Sequence, residues 1–229
     1  MQLDRASVIV TGGSSGLGAA VCSALQRRGA TVANLDRRPP ATPTGDWHKV
    51  DLADTEATEA AVRVIAGSDG VDAVVTCAGI DHPGPLRDID RARWEGVVAV
   101  NLLATAAVVR AALPSLLARR GRIVTVASTL GHTAAADATA YCASKWGVVG
   151  FTRALTAELK GEVGVTLVTP GGMSTAFFDG RDERYKPGPD AVLANPADIA
   201  DAIVYALERP PGVELRELVV MSPVETSWP

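Results

Sequence analysis

Hydrophobic positions along the chain fall into two patterns. Short, nearly continuous apolar runs occur at 7–11 (SVIVT), 31–35 (TVANL), 71–76 (VDAVVT), 122–127 (RIVTVA), 163–169 (VGVTLVT) and 217–221 (ELVVM), with a shorter one at 46–50. They are rich in Val and Ile and do not alternate with polar residues, as expected of strands buried on both faces of a parallel sheet. Between them, at 15–28, 55–66, 88–118, 139–160 and 197–208, the apolar residues recur at helical spacing. Gly29 stands where the first of these helices should stop. Alternating strand and helix patterns predict an α/β protein with a single-domain Rossmann fold, a doubly wound parallel sheet with helices on both faces. No internal repeat of solenoid period is visible, and no linker divides residues 1–229 into two domains. The least regular stretch is 171–196, rich in Gly, Pro and charge, a length of loop that commonly carries function.

Composition narrows the possible functions. The chain has 229 residues, 47% hydrophobic and 21% charged, enough for one core. A net charge of −4 and the absence of a basic run argue against a nucleic-acid partner. The apolar runs are interrupted by Arg, Asp or Pro, so no membrane span is expected. The start, MQLDR, has charges where a signal peptide needs apolar residues. The three cysteines (Cys22, Cys77, Cys142) are widely spaced and odd in number, which suits a reducing, cytoplasmic setting. His48, His82 and His132 lack metal-ligand spacing, and no metal is expected.

The loop after the first strand is TGGSSGLG, residues 11–18. Gly12, Gly16 and Gly18 form G-x-x-x-G-x-G, with Gly13 as an extra glycine. Taken alone it could be only a tight turn. In a strand–loop–helix setting, the N–H groups of residues such as Ser14, Ser15, Gly16, Leu17 and Gly18 can hold a pyrophosphate, helped by the helix dipole. Asp36 ends the second strand, where an acidic residue can accept hydrogen bonds from the adenosine ribose. That placement favours NAD(H) over NADP(H), although Arg37 and Arg38 stand ready to accommodate a 2′-phosphate. The other reading of Asp36 is a solvated loop carboxylate. Asp51, followed by Leu52, either lies near the adenine or caps the helix near 55.

Tyr141 and Lys145 are spaced i, i+4 and share a helix face. An ammonium beside a phenol stabilises the phenolate and should lower its pKa from the usual value of about 10. Such a tyrosine can take a proton from an alcohol or give one to a forming alkoxide. Ser128 closes the fifth strand, where strand ends point into the ligand crevice, and its hydroxyl can hold the substrate oxygen. Asn101, in VAVNLLATA, needs a buried polar partner.

Together, and in this order, TGGSSGLG at 11–18, Asp36, Asp51-Leu52, CAG at 77–79, Asn101, Ser128, Tyr141 with Lys145, and PGGMST at 170–175 resemble the classical short-chain dehydrogenase/reductase family over essentially the whole chain. The resemblance implies proton transfer by Ser128, Tyr141 and Lys145, with Asn101 supporting a water-linked relay to the lysine. It also implies cofactor contacts from Cys77, Ala78, Gly79, Tyr141, Lys145, Pro170, Gly171, Met173 and Thr175, with Thr175 near the carboxamide. The implied activity is hydride transfer between NAD(H) and a secondary alcohol or ketone. A redox-neutral dehydratase or isomerase, and a non-catalytic dinucleotide sensor or scaffold, are the alternatives. Two departures stand out. Cys77 replaces the family's usual asparagine and should weaken a structural hydrogen bond; nothing near it in sequence would activate its thiol. Met173 replaces a β-branched residue. The segment 171–196 is short for the family and reads as a small substrate lid, too small for an extended-type sugar epimerase.

Substrate contacts are expected from Asp81 and His82, from Leu130 to Ala135, and from Met173 to Phe178, with Phe177-Phe178 as the lid's apolar face. His82 and His132 are either substrate contacts or solvated loop residues. The helical stretches at 92–118 and 139–160 are apolar around much of their circumference, and the resemblance implies that they pair between subunits in a homodimer or homotetramer. The end of the chain, Trp228-Pro229, either docks on a neighbouring subunit or frays.

Overall fold

In the structure, a computed structural model that describes residues 1–68 and 70–228, one parallel sheet runs through the molecule. The elements are β1 (Ser7–Thr11), α1 (Gly16–Gln26), β2 (Thr31–Asp36), β3 (Asp46–Lys49), α2 (Thr55–Ser68), β4 (Ala73–Thr76), α3 (Arg91–Val98), α4 (Ala104–Arg119), β5 (Arg122–Val126), α5 (Thr139–Glu158), β6 (Gly164–Pro170), α6 (Pro196–Leu207) and β7 (Glu217–Val220). The strand order is β3-β2-β1-β4-β5-β6-β7, every pair parallel.

The continuous apolar runs follow from burial on both sheet faces. Successive side chains on a strand point to opposite faces. Val8 and Val10 therefore enter one core cluster, with Val21, Leu25 and Ile203 of α1 and α6. Ile9, between them, enters the other, with Val62, Val108 and Leu116 of α2 and α4. Ala73 and Val75 divide from Val74 in the same way, as do Val124 and Val126 from Ile123. Past the half-buried Ser7 and Arg122 that open β1 and β5, no position in these three strands faces water.

The stretch expected as one helix over 88–118 begins later and changes pitch. Asp90 caps α3, its carboxylate accepting from the N–H groups of Ala92 and Arg93. Residues Ala99–Leu103 then form a π-helical turn before α4. The helical segment Arg91–Arg119 is long and apolar enough to cross a membrane by length and composition alone, which corrects the expectation that every apolar run is too short. Half of its apolar window is buried in this fold, where α4 packs on α2.

β1 lies at the point where the chain changes direction in the sheet: β2 and β3 go to one side, β4 to β7 to the other. In such sheets the crevice beyond the carboxyl ends at this point is the ligand site. It gathers the residues after β1, β2, β4, β5 and β6 at one edge.

Candidate active site

The loop after β1 is shaped for close approach. Gly12 adopts φ +70°, and a Cβ there would stand 2.9 Å from the Cα of Ala78. A Cβ on Gly18 would run into the carbonyl oxygen of Gly12. Any side chain at either position would separate the loop from β4 or from its own helix. Ser15 is the N-cap of α1, yet its exposed hydroxyl makes no capping bond. The first N–H groups of a helix have no intrahelical acceptor, so those of Gly16, Leu17 and Gly18 remain for an anion. Leu17 contributes only through its main chain, because its side chain is buried in the core. The Ser14 hydroxyl is committed to the loop itself: it donates to the Arg38 carbonyl (2.7 Å) and accepts from Asn34 Nδ2 (3.1 Å). These donors, together with the space where side chains would stand, fit a dinucleotide pyrophosphate.

Asp36 sits beside this loop. Its carboxylate accepts from the N–H groups of Ser14 (3.2 Å) and Arg38 (3.0 Å) and is half-buried. A carboxylate has about four acceptor sites, so capacity for ribose hydroxyls remains. Arg37 and Arg38 are exposed. Asp51 does not cap α2. Its carboxylate accepts from Ala53 N (3.0 Å), closing a turn, while Asp54 accepts from Ala57 N and caps the helix. The capping alternative for Asp51 is therefore excluded, since Asp54 lies one residue before Thr55, where the cap must be. Leu52 is buried in the core.

Beyond β4, the N–H of Ala78 donates to Thr11 Oγ1 (3.2 Å) and ties Cys77-Ala78-Gly79 to the glycine loop. Burial pushes the Cys77 thiol well above its ordinary range despite the nearby Lys145, so it is not a thiolate. The buried hydroxyl of Thr76, one residue earlier, has no hydrogen-bond partner among the described residues. The π-helical turn projects Asn101 across this segment. Its amide accepts from Ile80 N (2.8 Å) and donates to Ile80 O and Ser144 Oγ (both 3.0 Å). A buried amide thus finds its partners, and the bulge aims it at them. A Cβ on Gly79 would stand 3.7 Å from Lys145 Nζ and 3.8 Å from Asn101 Oδ1.

Ser128 follows β5 and Tyr141 and Lys145 lie on α5, as their positions in sequence suggested. The Tyr141 phenol is near enough to Ser128 for that hydroxyl to favour its ionised form. Lys145 is buried, its ammonium donating to Val126 O (2.9 Å), and its Nζ lies 5.7 Å from the centre of the Tyr141 ring. The expected lowering of the tyrosine pKa is not found. Burial pushes Tyr141 up to about 12, only partly opposed by the neighbouring Ser128 hydroxyl, and pushes Lys145 down to about 8. Loss of hydration dominates both shifts, while Asp81 raises and Arg181 lowers the phenol's pKa to a lesser extent. An opposing positive charge, such as that of an oxidised nicotinamide ring, acts against this rise.

The segment 171–196 folds back over these groups. The β6 terminus Pro170 pairs with Val220, and Gly171 donates to the Val220 carbonyl (3.1 Å). Met173 bridges to Ala194. Thr175 lies against the glycine loop, its methyl and Cβ 3.5 Å from where a Cβ on Gly16 would be, and its hydroxyl accepts from Phe177 N. Phe177 packs on Tyr141 with ring centres 5.8 Å apart. Tyr185 donates to Asp137 (2.8 Å) and ties the segment down. A cavity of about 470 Å³ lies within this segment, lined by Thr175, Phe178, Lys186 and Leu193 among others; Ser128, Tyr141 and Lys145 do not line it.

One of the two histidines expected as substrate contacts or solvated loop residues is placed otherwise. His132 is half-buried and does not stand free: its Nε2 pairs with Thr169 Oγ1 (3.2 Å) and its ring meets Trp228 edge-on at 5.1 Å. Trp228 is held because Ser227 bonds Thr129 and Thr133, and Glu225 accepts from Gly172 N. The tail through Trp228 therefore packs on its own chain instead of fraying; Pro229 lies outside the described residues. His82 is exposed. Sequence reasoning missed Arg181, which covers Phe177, and Asn34, which braces Ser14. Asn34 interrupts the apolar run TVANL, a usable signal; Arg181 carried none. No group of three or more His, Cys, Asp or Glu is placed to hold a metal among the described residues.

A glycine cradle at the switch point of a parallel sheet, with a Ser–Tyr–Lys group beyond it, defines a dinucleotide-dependent oxidoreductase class. The family model for short chain dehydrogenases matches residues 6–186, and the chain belongs to that family. It is 33% identical over 224 residues to D-threitol dehydrogenase of Mycolicibacterium smegmatis, covering 89% of this chain and 86% of that protein. It is 31% identical over 231 residues to glycine betaine reductase ATRR of Emericella nidulans, a match that takes in 93% of this chain but 18% of that protein. A metagenomic short-chain oxidoreductase solved in complex with NADP superposes with a TM-score of 0.81 at 28% identity, over 96% of this chain and 98% of that one.

Proposed function

We propose that the protein is an NAD(H)-dependent oxidoreductase acting on a secondary alcohol or ketone. The carrying observation is the convergence of Ser128, Tyr141 and Lys145 at the crevice beside the glycine loop. The dinucleotide supplies the hydride acceptor or donor. Tyr141 exchanges the hydroxyl proton of the substrate, and Ser128 holds the substrate oxygen against it. Lys145 holds positive charge near the phenol and is placed to meet the nicotinamide ribose. Asn101 braces Ile80 and Ser144, positioning the wall and helix between which Lys145 lies. The test is a panel of secondary alcohols and ketones followed at the NADH absorbance band. Turnover of members in both directions supports the reading. A silent panel overturns it and favours a redox-neutral activity or a dinucleotide sensor.

Asp36 underlies the preference for NAD(H), since a 2′-phosphate would face its carboxylate at close range. Asp36→Ala is expected to shift the ratio of kcat/KM for NAD against NADP by at least about tenfold toward NADP, with Arg37 and Arg38 left to meet the phosphate. An unchanged ratio, or a wild type that prefers NADP, would overturn the assignment.

The working form is a homodimer or homotetramer. Leu103 and Trp146 are 50% and 52% exposed on the π-helical turn and α5, and large exposed apolar side chains on neighbouring elements suit a second copy. Light scattering is expected to return at least twice the 23.7 kDa chain mass; a monomer at about 10 μM excludes it.

A further inference from the structure

Asp81 and Arg181 form a buried ion pair between two different parts of the site. Arg181 Nη2 lies 3.2 Å from Asp81 Oδ2, with side chains 11% and 7% exposed. Asp81 belongs to the segment after β4, and Arg181 to the segment that folds over the site. The guanidinium is centred 4.5 Å from the Phe177 ring, and Phe177 packs on Tyr141. Both charges act on the Tyr141 phenol.

The pair is incompletely satisfied. Asp81 Oδ1, Arg181 Nε and Arg181 Nη2 are buried and have no hydrogen-bond partner among the described residues. Orphaned groups of this kind carry a desolvation cost and are rare in native interiors. Here the acceptor Asp81 Oδ1 and the donor Arg181 Nε are left without any partner, and Nη2 meets Asp81 Oδ2 as an ion pair without hydrogen-bond geometry, at a site whose charges cancel. A hydroxyl group matches that set, because it donates one hydrogen bond and accepts others. An apolar substituent would leave Asp81 Oδ1 and Arg181 Nε orphaned. A carboxylate could accept from Arg181 but would face the Asp81 carboxylate and offer it no proton.

We propose that Asp81 and Arg181 recognise a second hydroxyl of the substrate, so that the enzyme acts on neutral polyols or hydroxyketones. The hydroxyl donates to Asp81 Oδ1 and accepts from Arg181, joining the fixed wall to the covering segment while the reacting carbinol meets Tyr141. This rests on the oxidoreductase reading and adds the substrate class to it. Arg181 and Asp81 are then specificity-determining residues.

The test compares kcat/KM for butane-2,3-diol and erythritol with that for butan-2-ol and 3-hydroxybutyrate, in wild type, Asp81→Asn and Arg181→Met. Wild type is expected to prefer a diol or polyol by at least about tenfold, given what a hydroxyl-binding site loses when the hydroxyl is missing. Each substitution is expected to reduce that ratio by about 10- to 100-fold, mainly through KM. The wild-type ratio requires no variant, so a poorly folding Arg181→Met does not blunt the test. Equal use of butan-2-ol, a preference for 3-hydroxybutyrate, or an unchanged ratio in folded Asp81→Asn overturns the inference and leaves the reaction class standing. A silent panel of alcohols and ketones overturns both.

Discussion

Tyr141→Phe is expected to lower turnover by about 10²- to 10⁴-fold, the usual contribution of a positioned acid or base, while dinucleotide affinity stays within about threefold. The substitution removes one oxygen. The ring that packs on Phe177 remains, and so does the Lys145 ammonium on Val126 O. What is lost is the phenol's interaction with the Ser128 hydroxyl. Thermal unfolding should therefore be little changed, which separates a chemical defect from a folding one. Steady-state rates and dinucleotide titration by fluorescence provide the two readouts. Near-normal turnover in this variant would show that the proton moves by another route.

Lys145→Met is expected to cost activity at least about 100-fold and yet relieve the free protein of a pH-dependent burden. Burial depresses the Lys145 pKa to about 8 from an ordinary 10.5. Below about pH 8 the folded protein carries a charged, poorly hydrated ammonium, and stability is reduced. Between about pH 8 and pH 10.5 the unfolded chain binds more protons than the folded one, so stability rises with pH. Tyr141 acts in the opposite sense, but only above about pH 10, where the unfolded phenol ionises and the buried one does not. Measured from about pH 7 to pH 9.5, wild type should gain roughly 2 kcal/mol relative to Lys145→Met. Denaturant unfolding at a series of pH values gives the difference directly, and parallel curves would refute the assignment. The absolute stability of the variant also reflects the Val126 carbonyl it leaves unpaired, at about 1–3 kcal/mol, so the pH trend is the cleaner measure.

Much of this protein was legible in one dimension because its strands are buried on both faces. Val8, Ile9 and Val10 must all be apolar whatever surrounds them, so the run itself marks β1. The turn to α1 was legible for a related reason: Gly12 and Gly18 sit where any Cβ would collide with backbone. Such constraints act on single residues or on neighbours in the chain, and the residue types record them.

The tertiary structure decided what depends on groups distant in sequence. Asn101 had to be paired, but only the fold shows that Ile80 and Ser144 are its partners. His132 could have faced substrate or solvent until Trp228 was brought against it. Spacing put Tyr141 and Lys145 on one helix face, yet the direction of their pKa shifts came from desolvation, which is a property of everything packed around them. Arg181 looked like one more charge in an irregular segment. It became part of the site because that segment closes across Asp81, a hundred residues earlier in the chain. Periodicity and glycine placement are local signals. Burial of charge, and the partners that charge then lacks or finds, are created only when the chain closes on itself.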